Sequence, residues 1–571
     1  MTTVTLTNAI VCANWTQDNQ RCKKIGQFAC KGCLLVLYCG GDCQQSHWAK
    51  HKRDCRDNPL LKPNWKPEWE RQCRSPYFLD FVGERYPEPF NYQKKYLWGN
   101  VPAFDLLKLP SNEGINYSKD LNLLFAASGD FRNVVKTIAS IPDEYKNAVN
   151  VYMNDRDGDV VSRNAIMLLL ALTEEDPLVA AENIIHLWYS AFITQSLQNI
   201  LKGKIRELVQ DVCTKIEGKP SCAVLGKTWT FGRSSLRLVL AKKQWLDLLA
   251  CLEPPPGLTI EKALLIRRDV TLAPQRVDYR ERIYLTKPPG DRASHQKYRE
   301  EGVLVPFGAP RALFIVPNPT LFRDTNRWPL TDDSDPTSGW HKHAILEVWS
   351  GAAKNDIYAK LSFLLRDLLV RFHQRLRNSA ISFQLLHFDA EDIYKHVKDT
   401  LFDRIEVSNI SDAGYLGMGL TLVSIGLLLK PLSQNPHATV VALFINAVQE
   451  MIDATEQEKI LGSEIDQVKQ YIEPKMPKGR YDAMAIITLL AAEHVRDVDK
   501  YFDRYMKRLR FADLAHETGM EPKKRHTIID PWPTRVQKKA HQKGGREEFA
   551  TLLSSAHSGC ERYMEWQWSR S

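Results

Sequence analysis

No export signal opens this chain, no apolar run is long enough for a membrane span, and neither charge dominates. The first residues, MTTVTLTNAI, lack both a basic n-region and an apolar h-region. The expectation is a cytoplasmic or nuclear protein whose thiols stay reduced. The longest uncharged stretch, Ala413 to Leu429, is short for a span and carries four glycines, so it reads as a buried helix. A formal charge of +9 over 571 residues is modest, which argues against nucleic acid as a partner. No spacing announces a Ser/His/Asp or Cys/His nucleophile, and no repeat of solenoid period recurs. Cysteine is scarce over most of the length: only Cys73, Cys213, Cys222, Cys251 and Cys560 lie beyond residue 55.

The other seven cysteines crowd into the first 55 residues, at 12, 22, 30, 33, 39, 43 and 55, with His51 among them. That is enough for two tetrahedral sets, the arrangement Zn²⁺ favours. The Cys30-Lys-Gly-Cys33 pair offers two sulfurs from one tight turn. From Cys43 the candidate ligands recur every four residues through His51 to Cys55, so a helix would place them on one face. His47 falls on the same line and competes with His51. A disulfide knot is the alternative, but seven is an odd number and nothing points to an oxidising compartment. A segment this small also has too few apolar residues to hold itself together without a staple.

Cys30-x2-Cys33, Tyr38-Cys39-x3-Cys43-Gln44 and Trp48-x2-His51-Lys52-x2-Cys55 together resemble a MYND-type zinc finger. The resemblance implies two interleaved zinc ions, one on Cys12, Cys22, Cys39 and Cys43 and the other on Cys30, Cys33, His51 and Cys55. Ligand order alone equally allows sequential pairing. Cys12 and Cys22 depart from the family, whose first pair is usually separated by two residues. The resemblance also implies docking of proline-containing peptides, hence protein partners. Lys50, Lys52 and Arg53 read as a solvated helix face.

Beyond the finger, residues 58–94 alternate prolines with aromatics (Trp65, Trp69, Tyr77, Phe78, Phe81) and read as an extended arm packed on the next domain. Leu121 to Ala127 is a short apolar run, Ser128-Gly129-Asp130 a turn, and Val134, Val135 and Ile138 a helical stripe. Val149 to Asn154 reads as the next strand, with Asp155 and Asp157 at its end and a helix from about Val160 to Leu172. This is a βαβ unit. The signal from Pro177 to about Val270 is helical. Further strands are expected at Ala312 to Pro319, His343 to Trp349, Ile381 to Phe388, Asp403 to Asn409 and Ala438 to Asn446, with a strong amphipathic helix from Ile357 to Leu376. Helices are expected over Ala447 to Ile472, Tyr481 to Val495 and Val498 to about His516.

The fold class is therefore α/β: a two-zinc finger (1–57), the arm (58–94), and a doubly wound body with a helical insertion. The body divides into a first half (95–310), a second half (311–520) and a basic tail (521–571). Two separate domains joined near residue 300 are the competing arrangement. The tail carries basic clusters at Pro522 to His526 and Arg535 to Lys539, a solvated or nuclear-import feature, around an apolar IIDPWPTRV segment that docks on the body.

The order of strand, Gly turn, helix, strand and acid resembles the class I S-adenosylmethionine-dependent methyltransferases. The resemblance makes Ser128, Gly129, Asp130 and Asp155 the candidate cofactor residues. The bland alternative is a tight turn at Gly129 with Asp130 as helix N-cap. Asn409 and Asp412, before the glycines at 414, 417 and 419, would be the first catalytic candidates, although close helix packing explains those glycines as well. Tyr96 to Leu107 with Leu123 to Ile138 is similar to the N-terminal domain of unknown function of axonemal dynein assembly factors, which follows a MYND finger in fungal proteins. Tyr298 to Gly308 resembles a later segment of that family. This implies a methyltransferase-like (Rossmann-like) fold without an established activity. The function expected is a zinc-dependent interaction scaffold that is not an enzyme, with a methyltransferase whose finger selects a protein substrate as the alternative.

Overall fold

The computed structural model describes residues 10–15, 22–79, 95–397, 399–473 and 481–569. The finger contributes a two-stranded ribbon, β1 (Phe28–Ala29) and β2 (Leu37–Tyr38), and helix α1 (Gly41–Asp54). The body is built on β3 (Leu121–Phe125), β4 (Val149–Asn154), β5 (Phe192–Thr194), β6 (Val224–Phe231), β7 (Ser234–Ala241), β8 (Phe314–Pro317), β9 (Ile381–Leu386), β10 (Arg404–Glu406), β11 (Thr439–Phe444), β12 (Met520–Pro522) and β13 (Arg562–Trp568).

Nine of these strands form one sheet in the order β12-β13-β11-β10-β3-β4-β9-β7-β6. Strands β7, β9, β4, β3, β10 and β11 run parallel, and β13 opposes its neighbours. The chain builds outward from β3 in one direction, through β4 to β9, and then returns to place β10 and β11 on the other side. That reversal puts a topological switch point between β3 and β10. β11 is buried at every position, as expected of a parallel strand covered on both faces. One face is covered by helices Arg132–Ala139, Gly158–Thr173, Pro177–Tyr189 and Ile357–Asn378. The other carries Gly417–Ser424, Val498–Arg508 and Phe511–Thr518.

Several expectations need correction. The stretch after Pro177 is not helical throughout: β6 and β7 form a hairpin joined through Gly232-Arg233, and β7 extends the main sheet beside β9. The signal for it is the alternation in Ser-Ser-Leu-Arg-Leu-Val-Leu-Ala, which buries Leu236, Leu238 and Leu240 on one face. His343 to Trp349 is not a strand. Lys342–Glu347 is a short helix whose buried residues, Lys342 and Ile345, stand one turn apart. β8 exists but pairs with β5 in a separate ribbon. Gly417–Ser424 is shorter than the expected buried helix, and Leu420 and Val423 face solvent. No helix of the described residues is long and apolar enough to cross a membrane.

The supposed C-terminal tail is structural. β13 lies between β11 and β12, so residues from both sides of position 300 and from beyond 520 share one sheet. Two separate domains joined near residue 300 are excluded by that pairing. Glu565 on β13, fully buried, accepts the backbone N–H groups of Thr527, Ile528 and Ile529 and pairs with Lys523 at 3.2 Å. One of the expected basic residues is thus spent inside the fold. Ile528 and Trp532 of the apolar segment are buried, as expected.

The described part of the arm, up to residue 79, packs on the body as expected but is not extended throughout, since Pro59–Leu61 and Glu68–Arg71 are helical turns, each opened by proline, which is tolerated there. Trp69 is fully buried edge-on to Phe78, and Arg74 holds Asp278 through two bonds of 2.6 and 2.8 Å. The remainder of the arm, including Phe81, lies outside the described residues. Trp566, fully buried in β13, should cost about 3–5 kcal/mol when replaced by alanine. Urea unfolding should show this as a lower midpoint, whereas a solvated tail would leave the midpoint unchanged.

Candidate metal centres and body site

The finger's own chain crossings assemble its sulfurs. Val11 bridges Ile25, Cys12 N–H donates to Lys24 O at 2.9 Å, and Ala13 N–H donates to Leu37 O at 2.8 Å. These bonds lay Cys12 and Cys22 beside Cys39 at the end of β2 and Cys43 in the first turn of α1. Cys30 and Cys33 sit on the turn between β1 and β2, facing His51 and Cys55 at the far end of α1.

Two clusters result: Cys12, Cys22, Cys39 and Cys43, and Cys30, Cys33, His51 and Cys55. Within each, the ligand atoms all lie within 4.8 Å of one another. In the first, Cys22 and Cys39 sulfurs are 3.7 Å apart and those of Cys39 and Cys43 3.5 Å. In the second, Cys30 and Cys55 sulfurs are 3.9 Å apart, and Cys33 Sγ is 3.5 Å from His51 Nε2. Zinc with bonds of about 2.3 Å to sulfur and about 2.0–2.1 Å to nitrogen sets tetrahedral S···S edges at about 3.8 Å and S···N edges at about 3.6 Å. The donor sets and spacings fit that ion. A disulfide, with sulfurs about 2.05 Å apart, does not fit, and every cysteine is free.

The pairing is interleaved along the chain. His47 is not in either set: its Nδ1 stands 3.0 Å from Tyr38 Oη, and its ring stacks on His51. Burial holds His47 down to about 4, so it stays a neutral packing residue. Leu35 N–H donates to Cys33 Sγ at 3.4 Å, a bond that steadies a thiolate ligand. The clustered sulfurs also disturb one another's protons. The hydrogen bond with Cys43 pushes the Cys39 thiol up to about 12, and burial pushes Cys55 up to about 11, while Cys33's hydrogen bond pulls Cys30 down to about 3. Without a cation the sets remain partly protonated; a dication at each centre removes that conflict.

The body holds the second cluster directly. Asn355 donates its backbone N–H to Leu34 O at 3.1 Å and its side-chain amide to Cys33 O at 3.0 Å. Lys297 pairs with Asp54 at 2.8 Å, and Arg292 donates to Leu60 O and Lys62 O. Ala293 and Phe307 pack into the finger's core. Gly308 allows this approach, since a Cβ there would stand 3.0 Å from Ala13 Cβ and 3.1 Å from Val36 Cγ1. Sequence reasoning misses Asn355, because nothing local marks it.

In the body, Ser128, Gly129, Asp130 and Asp155 do come together beyond the carboxyl ends of β3 and β4, but they are bonded to the protein. Asp155 accepts Gly129 N–H on one oxygen and Asp157 N–H on the other, both at 2.9 Å. Asp130 accepts Gly99 N–H at 2.8 Å, Trp188 Nε1–H at 3.1 Å and the Arg132 guanidinium at 2.6 Å. Gly129 has φ of +53°, the left-handed turn that suits glycine, and Asn164 donates to its carbonyl at 2.8 Å. Residues 95–101 run across this turn, fastened by Gly99 and by Lys95, which pairs with Asp157 and Asp159. Of the two carboxylates expected to accept a cofactor, Asp130 holds this cover in place and Asp155 fixes the Gly129 turn. The helix starts at Arg132 after Phe131, and Asp130 Oδ1 accepts the Arg132 N–H at 3.4 Å from one residue further back.

Asp412 likewise works as a staple. Its Oδ2 accepts Ile445 N–H at 3.0 Å and the Asn446 side-chain amide at 3.3 Å, tying the loop after β10 to the end of β11. Burial pushes its carboxyl up to about 6. A Cβ at Gly419 would stand 3.2 Å from Leu514 Cδ2, so that glycine serves helix packing, whereas Gly417 is fixed by its φ of +78° and a Cβ at Gly414 would meet open space.

Against this geometry, the family profile of the MYND finger matches residues 19–55, and that of a domain of unknown function, DUF4470, matches residues 97–193. The N-terminal unit is thus a MYND zinc finger, a module of zinc binding and protein interaction, followed by a DUF4470 domain. Comparison with curated proteins and with solved structures gave no match. Cys12 lies outside the matched finger stretch, and the Val11–Ile25 bridge delivers it.

Cys12→Ser should lower tightly held zinc from two equivalents to about one, measured by elemental analysis after chelator challenge, with the second cluster still loaded. Zinc uptake should release protons near neutral pH, because thiols held high must ionise to bind. The apparent affinity should therefore rise with pH and fall on acidification. Calorimetry in buffers of different ionisation enthalpy measures the protons released.

Proposed function

We propose that this protein is a zinc-dependent interaction scaffold, in which the finger captures partner peptides and the α/β body positions the finger. The observation that carries this reading is a groove at the junction of finger and body. Its wall includes Phe28 on β1, Trp48 on α1, Leu61 from the arm and Ala352 from the body. Phe28 is 59% exposed, unusual for a large apolar side chain on an ordered strand. β1 pairs only with β2 among the described residues, leaving an outer edge for an extended segment to join. A proline-containing peptide, the ligand class implied by the MYND resemblance, suits an aromatic-lined groove of this kind. Lys31, Arg56, Lys62 and Lys354 line it and, among the described residues, no carboxylate does, which favours peptides with acidic flanks.

The body reads as methyltransferase-like in fold and non-catalytic. Support for the fold is the sheet order: from β9 to β11 the strands follow chain order 3-2-1-4-5 when the hairpin is left out, as in doubly wound nucleotide-binding sheets. Support for the lack of catalysis is the cover over Gly129 and the engagement of Asp130 and Asp155 within the protein. A methyltransferase using S-adenosylmethionine is the second reading, favoured by the position of the Gly129 turn and Asp155 after adjacent strands.

Trp48→Ala keeps all eight metal ligands and should retain two zinc equivalents while losing proline-peptide capture at least tenfold, read by fluorescence anisotropy. Undiminished capture would remove the finger from the docking role. Calorimetry with millimolar S-adenosylmethionine should give no binding heat. Micromolar binding abolished by Gly129→Val would instead establish the enzyme reading.

A further inference from the structure

A second cavity, of about 570 Å³, lies away from the finger groove. It is enclosed by helices Val277–Leu285 and Pro289–Glu301, the loop 330–338 and the C-terminal turn 553–561, with Ile445 and the cover segment on one side. Its volume falls in the range of about 300–1,000 Å³ typical of small-molecule sites. Neither the Ser128-Gly129-Asp130 turn nor Asp155 lines it. Exposed Tyr96, Asn100 and Ala556 frame its mouth.

The distribution of unused hydrogen-bonding capacity in this cavity is lopsided. Lys287 and Arg299 line it, 7% and 5% exposed. Lys287 Nζ donates to Ser554 O at 3.0 Å, and the Arg299 guanidinium donates to Asp332 O, in both cases a backbone carbonyl. Arg299 Nε has no partner, and neither cation has a carboxylate in ion-pair range among the described residues. The acids around them are committed elsewhere. Asp332 holds Arg276 at 3.1 and 3.2 Å. Asp335 accepts His295 at 2.7 Å, Tyr358 at 2.6 Å and Thr337 at 2.5 Å. Glu561 accepts Thr534, Ser558 and Gly559. Asp333 is exposed and accepts Thr331, and burial pushes the Glu493 carboxyl up, toward its neutral form.

A buried cation without a counter-ion is costly unless something supplies one. Burial pulls Lys287 down to about 8, and the like charges of Lys342 and Arg299 add to that effect while Asp335 and Asp291 oppose it only in part. An anion beside them would relieve Lys287, while Arg299, whose charge Tyr284, Asp335 and Asp332 already favour, would offer its unpartnered Nε as a second donor. Ile283, Leu330, Leu490 and Leu553 supply apolar wall for the rest of such a molecule.

We propose that this cavity binds a small organic anion, a carboxylate or a phosphate monoester, with its charged group between Lys287 and Arg299 and its apolar part against the leucines. The site is separate from the finger groove and lies against residues 95–101, the segment that also covers the Gly129 turn.

The full-length, zinc-loaded protein should be titrated with phenyl phosphate, benzoate and neutral benzamide, by calorimetry and thermal unfolding. Saturable binding and a raised Tm are expected for at least one anion and not for benzamide. Preference between phenyl phosphate and benzoate then distinguishes a phosphate ester from a carboxylate. Lys287→Met should weaken anion binding at least tenfold and leave the Tm of the ligand-free protein unchanged or higher, because an uncompensated ammonium is removed. Arg299→Gln makes the same demand on binding if the first variant fails to fold. The proposal is overturned if neither anion binds at millimolar concentration, if benzamide binds equally well, or if both variants bind as the parent does. A lower ligand-free Tm in Lys287→Met, with no anion response in the parent, would assign the lysine a purely structural role.

Discussion

Sulfur and imidazole held around divalent cations are the constraint on which the N-terminal unit rests. Its ribbon has only two residues in each strand, and its helix α1 is polar along most of its length. Nothing there closes an ordinary core. What closes it is the convergence of ligands from opposite ends of α1 with partners from the ribbon and the first crossing strand. Because the two sets interleave, each ion ties together segments that the other also constrains. An ion in each set would supply folding free energy to its own ligands, and the second set has contacts to the body besides.

That frame extends into the body. Asn355 reaches the carbonyls of the Cys30–Cys33 turn, and Phe307 and Ala293 fill the space beneath it. The finger is therefore a fixed feature of the surface, and the groove beside it has walls from both units. A docking site made in this way presents one geometry to its partner. Less conformational entropy is lost on binding than with a tethered finger.

In the α/β body the acids beyond the strand ends make hydrogen bonds within the protein. The crevice at the switch point is where open sheets of this kind hold ligands. Here its acids are occupied: Asp155 fixes the glycine turn, Asp130 fastens residues 95–101, and Asp412 fastens β11. Lys287 and the unpartnered Arg299 Nε face a different cavity, against helices Val277–Leu285 and Pro289–Glu301 and the C-terminal turn. The fold class alone therefore says little about where chemistry resides.

Much of the architecture is legible in the residues. Val149–Asn154 has the bounds expected from its apolar run, and the Ile357 stripe marks a helix that runs to Asn378. The hairpin is obscured because Ser234–Ala241 leads straight into Lys242–Ala250, so a period of two merges into one of 3.6. The C-terminal segment misleads because its charge is prominent and the burial of Glu565 is not. By itself the sequence determined that this segment is built to gather metal, since coordination demands particular side chains at spacings that composition cannot disguise; the interleaved sets, and His51 over His47, came from the structure. Only the tertiary structure decided where the finger sits, that β13 enters the sheet, and that Asp130 and Asp155 are spent on the protein itself. Those outcomes depend on contacts between residues far apart in the chain, such as Asn355 with Cys33, whose energies no local pattern records.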